Sequence, residues 1–219
     1  MKTKQRPLGG GIMQKLLDGI INFRRKDYET HKELFRDLKT SQHPHTLFIT
    51  CCDSRIHPNM ITGALPGELF IVRNVANIVP SYSETSEYVS IMSAIEYAVL
   101  ALNVENIIVC GHSNCGGCAA SLKGIGDHSD FEHTKKWLQL IEPVRNKVVD
   151  KIPDNEPGAR KWMMEQGNVL EQLKNLGTYP YIVKRVNSGR LQLSGWHYII
   201  ETGEVYIYKP EEEGFVLSN

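Results

Sequence analysis

Two short stretches of the sequence carry side chains that can bind a metal ion or react with a substrate. The stretch "CCDSR" begins at Cys51, directly after the apolar run "TLFIT", and "GHSNCGG" places His112 and Cys115 directly after the apolar run "NIIVC". If both apolar runs are strands of one parallel sheet, the stretches lie at the carboxyl ends of strands, where ligand sites form in such sheets. The two stretches can then meet if the strands are neighbours.

The residue types in these stretches favour zinc. Two thiolates and one imidazole are a suitable donor set for Zn²⁺, and three protein ligands leave the fourth tetrahedral position free for water or substrate. The pattern therefore predicts a catalytic metal site formed by Cys51, His112 and Cys115. The two glycines after Cys115 indicate a helix start, where the helix dipole favours a thiolate.

A carboxylate and a guanidinium follow the first cysteine at alternate positions. Side chains alternate between the two faces of extended chain, so Cys51, Asp53 and Arg55 are expected on one side. Arg55 paired with Asp53 keeps the carboxylate ionised and turned away from the metal. A purely structural metal site has no use for such a pair, which favours catalysis.

The remaining cysteines and histidines leave alternatives open. Cys115 and Cys118 form a Cys-x-x-Cys spacing, which is typical of redox exchange or, with Cys118 as a fourth ligand, of a closed structural zinc site. Cys52 and Cys110 are interpreted as small buried hydrophobic residues, and His57 as a candidate proton relay. The other histidines are expected at the surface or hydrogen-bonded, without a functional role: His31, His43, His45, His128, His133 and His197.

The elements that must position these residues form an α/β pattern. Strands are predicted for five short runs, "TLFITC", "ELFIVRNV", "NIIVCGH", "LQLSGWHYII" and "EVYIYKP". The first three are near-continuous apolar runs separated by helix-length segments, which indicates parallel pairing with flanking helices. The last two are separated by "ETGE", so they should form an antiparallel hairpin.

Apolar residues recur at helical spacing in four segments, residues 12–40, 83–104, 133–152 and 159–177. The expected fold is a mainly parallel central sheet of about four parallel strands plus an antiparallel edge strand, flanked by helices. Residues 1–40 are expected to be an N-terminal helical arm, part of the same domain as the α/β zinc-binding catalytic domain of residues 41–219.

Composition limits the partners of the chain. Lys plus Arg equals Asp plus Glu at 25 each, so no net charge attracts nucleic acid or an anionic membrane. No apolar run reaches the ~18 residues of a membrane span, and no signal peptide is recognisable. Five cysteines in such a chain argue against a disulfide framework. We expect a cytoplasmic protein whose partners are small molecules or copies of itself.

Longer stretches carry a family resemblance. The motifs "CCDSR", "PGELFIVRNVANIVP", "SAIEYAVLALNVENIIVCGHSNCGG" and "LSGWHYIIETGEVYIY" resemble those of the β-class carbonic anhydrases, and the similarity extends from about residue 12 to the end. The resemblance implies a zinc lyase that interconverts carbon dioxide and bicarbonate by attack of zinc-bound hydroxide. It also implies that Cys51, His112 and Cys115 bind zinc and that Asp53 and Arg55 form the catalytic dyad.

The resemblance further implies a substrate pocket and an assembly. The pocket of the plant-like branch of the family would be formed here by Gln42, Phe70, Val75, Tyr97 and Gly116. Phe48 stands where the branch with a bicarbonate-triggered inactive form has tryptophan, which favours the constitutively open branch. Family members embrace a second subunit with the N-terminal arm, so we expect a homodimer or larger even homo-oligomer, in which Gln42 serves the neighbour's pocket.

This sequence departs from the family pattern at Cys52, where serine is common, and at Cys118. Both cysteines suggest sensitivity to thiol reagents. The alternative function is a zinc-stabilised binding or thiol redox module on the same fold, without hydratase activity.

Overall fold

The structure is a computed structural model that describes residues 11–83, 87–124 and 129–218. The chain divides into two compact units, Met1–Gln42 and His43–Asn219. Three sequence expectations extend outside the described residues, namely the first ten residues of the arm, residues 84–86 of a predicted helix, and His128.

The described part of the first unit consists of three helices, α1 (Gly11–Arg25), α2 (Asp27–Thr30) and α3 (Lys32–Asp37). The sequence predicted one or two helices here. The additional divisions come at Lys26 and His31, whose backbone angles are not helical. The apolar side chains of α1 are exposed, namely Ile12, Met13, Leu16, Leu17, Ile20, Ile21 and Phe23.

The second unit is built on a six-stranded sheet. Its strands are β1 (Thr46–Cys51), β2 (Leu69–Asn74), β3 (Asn106–His112), β4 (Gln192–Tyr198), β5 (Val205–Lys209) and β6 (Gly214–Leu217). The order is β2-β1-β3-β4-β5-β6, with parallel pairing from β2 through β4 and antiparallel pairing from β4 through β6. The predicted α/β class with four parallel strands is confirmed, and the antiparallel edge contains one strand more than predicted.

The burial of the strands follows from their places in the sheet. All six residues of β1 are buried because β1 lies between β2 and β3. Successive side chains of β1 and β3 face opposite sides. Leu47, Ile49, Ile107 and Val109 join a core cluster with residues of the helices, whereas Phe48 packs with Ile108 and Cys110 in a separate cluster.

Seven helices belong to the described part of the second unit. They are α4 (Pro58–Thr62), α5 (Val89–Glu96), α6 (Gly116–Lys123), α7 (Glu132–Leu138), α8 (Glu142–Lys151), α9 (Pro157–Leu176) and α10 (Pro180–Asn187). A π-helical segment, Tyr97–Ala101, continues α5. Among the helices that the structure describes, none combines the length and the apolar composition that a membrane-spanning helix needs.

Two of the predicted helices are shorter than expected. The segment 133–152 is divided by a 3₁₀ turn, Gln139–Ile141, and Pro143 in the first turn of α8 lacks the N–H that a continuous helix would use. In the described part of segment 83–104, the helix begins at Val89, because Tyr88 has a left-handed backbone with φ 57°.

Helix α9 packs closely against β3 and β4 because glycines face it. A Cβ atom added to Gly111 would lie 2.6 Å from Cγ2 of Val169, and one added to Gly195 would lie 2.9 Å from Cγ1 of the same residue. Such distances are shorter than van der Waals contact, so only glycine allows α9 to lie this close. Consequently the middle of α9 lies against the carboxyl end of β3 and the middle of β4.

Candidate metal centre and catalytic site

Three metal-ligating side chains converge at the carboxyl ends of β1 and β3. These strands are adjacent and parallel, and Cys51 and His112 are their last residues. Ligand atoms of Cys51, His112 and Cys115 all lie within 4.8 Å of one another, and all three side chains are buried. Three donors this close together could hold one metal ion, and we call them the ligand cluster.

The loop after β3 brings Cys115 to this cluster. Asn114 has a left-handed backbone with φ 58°, which turns the chain from β3 into α6. Cys115 is the extended residue that precedes the first residue of α6. The start of α6 packs tightly on the segment after β2, since a Cβ atom on Gly117 would lie 2.8 Å from Cβ of Ala76.

The imidazole of His112 is oriented as a metal ligand would need to be. Its Nδ1 lies 2.9 Å from the carbonyl oxygen of Ser113, to which a protonated Nδ1 donates. Its Nε2 is buried and has no hydrogen-bond partner among the described residues. A buried imidazole nitrogen costs free energy unless it is satisfied, so this lone pair fits a metal ion in the cluster.

The two thiols of the cluster hold their protons when no cation is present. Contact with the Cys115 thiol, together with burial, raises the pKa of Cys51 to about 12. Contact with the Cys118 thiol is the main cause that raises the pKa of Cys115 to about 12. A divalent cation would reverse this effect, because metal ions bind the thiolate form. Two thiolates and an imidazole at this separation fit Zn²⁺.

Asp53 and Arg55 form a bidentate pair beside the cluster. Arg55 Nε donates to Asp53 Oδ1 at 2.9 Å, and Arg55 Nη2 donates to Asp53 Oδ2 at 2.8 Å. These hydrogen bonds hold the pKa of Asp53 well below its usual range. Asp53 Oδ2 lies 4.0 Å from His112 Nε2, so an ionised carboxylate faces the cluster.

The pair forms through a turn rather than through the extended chain that the sequence suggested. Strand β1 ends at Cys51, and the backbone N–H of Arg55 donates to Asp53 Oδ1 at 3.0 Å. Arg55 is also held by the carbonyl oxygen of Asn114 at 3.0 Å, and Arg73 Nη2 donates to the carbonyl oxygen of Asp53 at 2.7 Å.

The five expected pocket residues lie in different places. Val75 lies beside the first turn of α6, where its Cγ1 would be 3.0 Å from a Cβ atom on Gly117. Gly116 is the first residue of α6, and a Cβ atom there would contact nothing within 4 Å. Gln42 belongs to the first unit and is exposed.

Phe70 and Tyr97 contact each other, with ring centroids 6.0 Å apart. Phe70 pairs with Leu47, whereas Cys51 pairs with Asn74, four residues farther along β2. At the rise of a β-strand, Phe70 is about 13 Å from the end of the strand that carries the cluster. Within a single chain, Phe70 and its neighbour Tyr97 therefore lie apart from the cluster.

The other cysteines differ in their surroundings. Cys118 is buried and its Sγ lies 3.7 Å from Nδ2 of Asn168, but Cys118 is not part of the metal-ligating group found among the described residues. Cys110 is buried in an apolar cluster, which confirms its interpretation as a small hydrophobic residue. The same interpretation was wrong for Cys52, which is exposed because β1 ends one residue before it.

His57 and His197 differ in burial. His57 is exposed, and it immediately precedes α4. His197 was expected at the surface or hydrogen-bonded, and this expectation was wrong. Its position inside β4, under α9, leaves the imidazole completely buried, and neither ring nitrogen makes a hydrogen bond among the described residues. Its Nε2 instead lies 3.4 Å from the carboxylate of Glu165.

A polar network behind Asn114 was not found from the sequence. Glu201 accepts hydrogen bonds from Ser113 Oγ at 2.7 Å and from Asn114 Nδ2. Lys161 donates to Oδ1 of Asn114. These residues fix the loop whose carbonyl oxygen holds Arg55. The sequence did not reveal Glu201, because Ser113 and Asn114 lie almost ninety positions before it and no local spacing indicates such a contact.

Comparisons with known proteins agree with this geometry. The chain matches the family model described as "Carbonic anhydrase" over residues 46–205. The carbonic anhydrase of Helicobacter pylori is 42% identical over 201 residues, which cover 90% of this chain and 90% of that protein.

Solved structures give the same result. The β-carbonic anhydrase CcaA superposes with a TM-score of 0.90 at 40% identity, covering 96% of this chain and 93% of that chain. A structure from work on two tetrameric β-carbonic anhydrases of Sordaria macrospora has a TM-score of 0.76 at 29% identity, covering 90% of this chain and 96% of that chain.

Proposed function

Because this chain belongs to the β-carbonic anhydrase family, we propose that it catalyses the reversible hydration of carbon dioxide to bicarbonate and a proton. The chain is an enzyme of the carbonic anhydrase type, a carbon–oxygen lyase. One observation carries the proposal for this chain's own residues: a buried three-donor cluster lies beside an ionised carboxylate that can only accept hydrogen bonds.

Zinc is the ion that we propose for the cluster of Cys51, His112 and Cys115. When bound, zinc would act as a Lewis acid with one open coordination position, and it would lower the pKa of a water molecule there toward about 7. The fit rests on the two thiols and on the His112 Nε2 lone pair, which has no partner among the described residues.

Asp53 is proposed to orient the reacting water. Its pKa lies well below the usual range, so at neutral pH its oxygens accept hydrogen bonds and cannot donate. A water molecule whose O–H points at Oδ2, the oxygen that faces the cluster, directs a lone pair toward the carbon of carbon dioxide. The carboxylate thereby selects the reactive orientation of the water.

Arg55 is proposed to keep Asp53 in this role. Its guanidinium donates to both carboxylate oxygens at once, a geometry that lysine cannot reproduce. Without this grip the Asp53 side chain would be free to turn toward the cluster and occupy the open position. The hydrogen bond from Arg55 to the Asn114 carbonyl ties the pair to the loop that carries Cys115.

The substrate pocket is proposed to combine residues of two chains. Val75 and Gly116 lie near the start of α6, whereas Phe70 lies about 13 Å from the end of β2 that pairs with Cys51, and Tyr97 contacts Phe70. We propose that Phe70, Tyr97 and Gln42 serve the pocket of a neighbouring copy. Apolar walls and a single amide donor suit a small apolar substrate.

The assembly would accordingly be a homo-oligomer, a homodimer or a larger even assembly. The exposed apolar side chains of α1 support it, because such a face is expected to be covered by another chain.

We also propose that the chain divides into a helical arm, residues 1–40, and a catalytic domain, residues 41–219. We also propose a cytoplasmic location, no nucleic acid or membrane partner, and membership of the plant-like, constitutively open branch, in view of Phe48.

The test joins zinc content per chain to carbon dioxide hydration measured with a pH indicator. Asp53→Asn keeps the shape of the side chain but adds a donor, and we expect kcat/KM to fall about 10²- to 10³-fold with zinc content unchanged. The matched control is Asp150→Asn, an exposed carboxylate at the end of α8, which should leave both quantities unchanged.

Two results would contradict the proposal. One is a wild-type protein that holds zinc but hydrates no carbon dioxide. The other is an Asp53→Asn variant as fast as the wild type. Either result would favour the alternative function, a zinc-stabilised binding or thiol redox module.

A further inference from the structure

A buried carboxylate and a buried imidazole meet beneath the candidate site. Glu165, in the middle of α9, is 2% exposed, and His197, in β4, is 0% exposed. Glu165 Oε2 and His197 Nε2 lie 3.4 Å apart. Burying a carboxylate without a partner is unfavourable, so the imidazole beside Glu165 offsets part of the cost of its burial.

The second oxygen of the same carboxylate reaches the ligand cluster. The backbone N–H of Cys115 donates to Glu165 Oε1 at 3.2 Å, and both groups are buried. Cys115 is the residue before α6, so its N–H lies outside the hydrogen bonds of that helix. Glu165 therefore joins β4, through His197, to the backbone of a cluster cysteine.

The position of this carboxylate is fixed by the packing of α9. The Cα atoms of Gly111 and His197 are register partners in β3 and β4, and the absence of a side chain at Gly111 lets α9 approach. Trp162, one turn before Glu165 on α9, packs edge-on against the imidazole with centroids 5.0 Å apart. The ring and the carboxylate are thus held by the core rather than by solvent.

The backbone N–H that donates to Glu165 belongs to the turn between β3 and α6. Asn114, the residue before Cys115, has a left-handed backbone. The side chain of Cys115 must point toward Cys51 on β1 and His112 on β3. Backbone groups that are anchored by buried partners keep a ligand in the direction that the metal requires. Anchoring at the amide of Cys115 acts on the thiol without touching it.

We propose that Glu165 and His197 are a buried positioning pair that holds the amide of Cys115 and so directs its thiol into the metal site. This inference rests on the proposed zinc site and adds two residues, of which Glu165 contacts the backbone N–H of Cys115. His197 keeps Glu165 in place, and Glu165 transmits that constraint to Cys115. The pair acts on metal affinity first and on catalysis only through it.

The test measures zinc affinity by competition with a chromophoric chelator, and the thiolate-to-cobalt charge-transfer absorption of the Co²⁺-loaded protein. Glu165→Ala and His197→Phe should each lower zinc affinity about 10- to 100-fold and weaken the cobalt band. Glu165→Gln should recover most of both, because an amide oxygen can still accept from Cys115 and its NH₂ can donate to His197.

The matched control is Glu171→Ala. Glu171 is another nearly buried carboxylate on α9, but its partners are Lys174 at 2.8 Å and Lys147 at 3.8 Å. The Glu171→Ala variant should have a lower free energy of unfolding in urea when metal-free, with zinc affinity and the cobalt spectrum unchanged. If Glu165→Ala does not fold, Glu165→Gln and His197→Phe provide the comparison.

The double variant adds a check on the pairing. If the two residues act through one contact, Glu165→Ala combined with His197→Phe should lose no more affinity than the worse single variant. Wild-type zinc affinity and an unchanged cobalt band in His197→Phe and the folded Glu165 variants would overturn the inference. A wild-type protein that binds no zinc would contradict the proposed function itself, which separates the two failures.

Discussion

The cysteines of the ligand cluster have higher pKa values than ordinary thiols, so they hold their protons to higher pH. The pKa of Cys51 is raised to about 12, first by contact with Cys115, and that of Cys115 is raised to about 12, first by contact with Cys118. A raised folded-state pKa stabilises the fold below the unfolded value of 9.0 and loses this contribution as the pH rises toward about 12. The metal-free protein should therefore become less stable in that alkaline range.

Zinc binding should consequently release the thiol protons. We expect between two and three protons to leave per zinc bound at pH 8, because the metal takes both cysteines as thiolates and also acidifies the water in its open position. Calorimetric titration in buffers of different ionisation enthalpy measures this number. Cys51→Ser should lower it by about one, and an equal release from the variant and the wild type would show that Cys51 is not a ligand.

At the scale of residues, types and spacing predicted which side chains meet but not how. Cys51, His112 and Cys115 were predictable because each follows an apolar run that had to be a strand. The turn that pairs Asp53 with Arg55 was not, since two-residue spacing fits both a strand and a turn. The pairing of Glu165 with His197 was invisible, because it depends on how α9 crosses the sheet.

At the scale of elements, the contact between α9 and the sheet decides the geometry of the site. Gly111→Ala would place a Cβ atom 2.6 Å from Cγ2 of Val169, in the middle of that contact. We expect a loss of about 1–3 kcal/mol in the free energy of unfolding, as is usual for overpacking. Urea unfolding of the metal-free variant measures this loss.

The comparison for that variant is Gly158→Ala, in the first turn of α9. A Cβ atom there would contact nothing within 4 Å, so the free energy of unfolding should stay the same or rise slightly. An equal loss in both variants would mean that the close approach of α9 is not what requires glycine at position 111.

The strands were more predictable than the short helices. The sixth strand, β6, has only four residues, GFVL, which are too few to form a recognisable run. Helices α4 and α10 begin with proline, and α4, with five residues, is too short for a clear apolar period. Left-handed residues such as Tyr88 decide where α5 begins, and nothing in the residue type signals them.

At the scale of the whole molecule, the exposed face of α1 should govern assembly. Leu16→Glu with Ile20→Glu places charges on that face, and each buried apolar side chain contributes about 1.5–3 kcal/mol, or tenfold or more in the dissociation constant. Light scattering after gel filtration should show a smaller species with lower specific activity. Lys15→Glu, on the same helix, should not change the mass.

An unchanged mass in the double variant would show that α1 does not contribute to the subunit interface. The sequence suggested an assembly through its charge balance, which favours copies of itself as partners, and through the family resemblance. The strand register adds a physical reason, because it separates Phe70 from the ligand cluster of its own chain by about 13 Å. That separation depends on which residues of β1 and β2 pair, which no local motif reveals.

The contrast between the Asp53 carboxylate and its neighbouring thiols sets the order of failure in acid. Arg55 holds the pKa of Asp53 far down, while Cys51 and Cys115 take up protons readily. On acidification the cluster would release its ion while the Asp53–Arg55 fork is still intact. Mild acid would then inactivate the protein by removing the metal ion while the site stays folded, and neutral buffer containing zinc would restore activity.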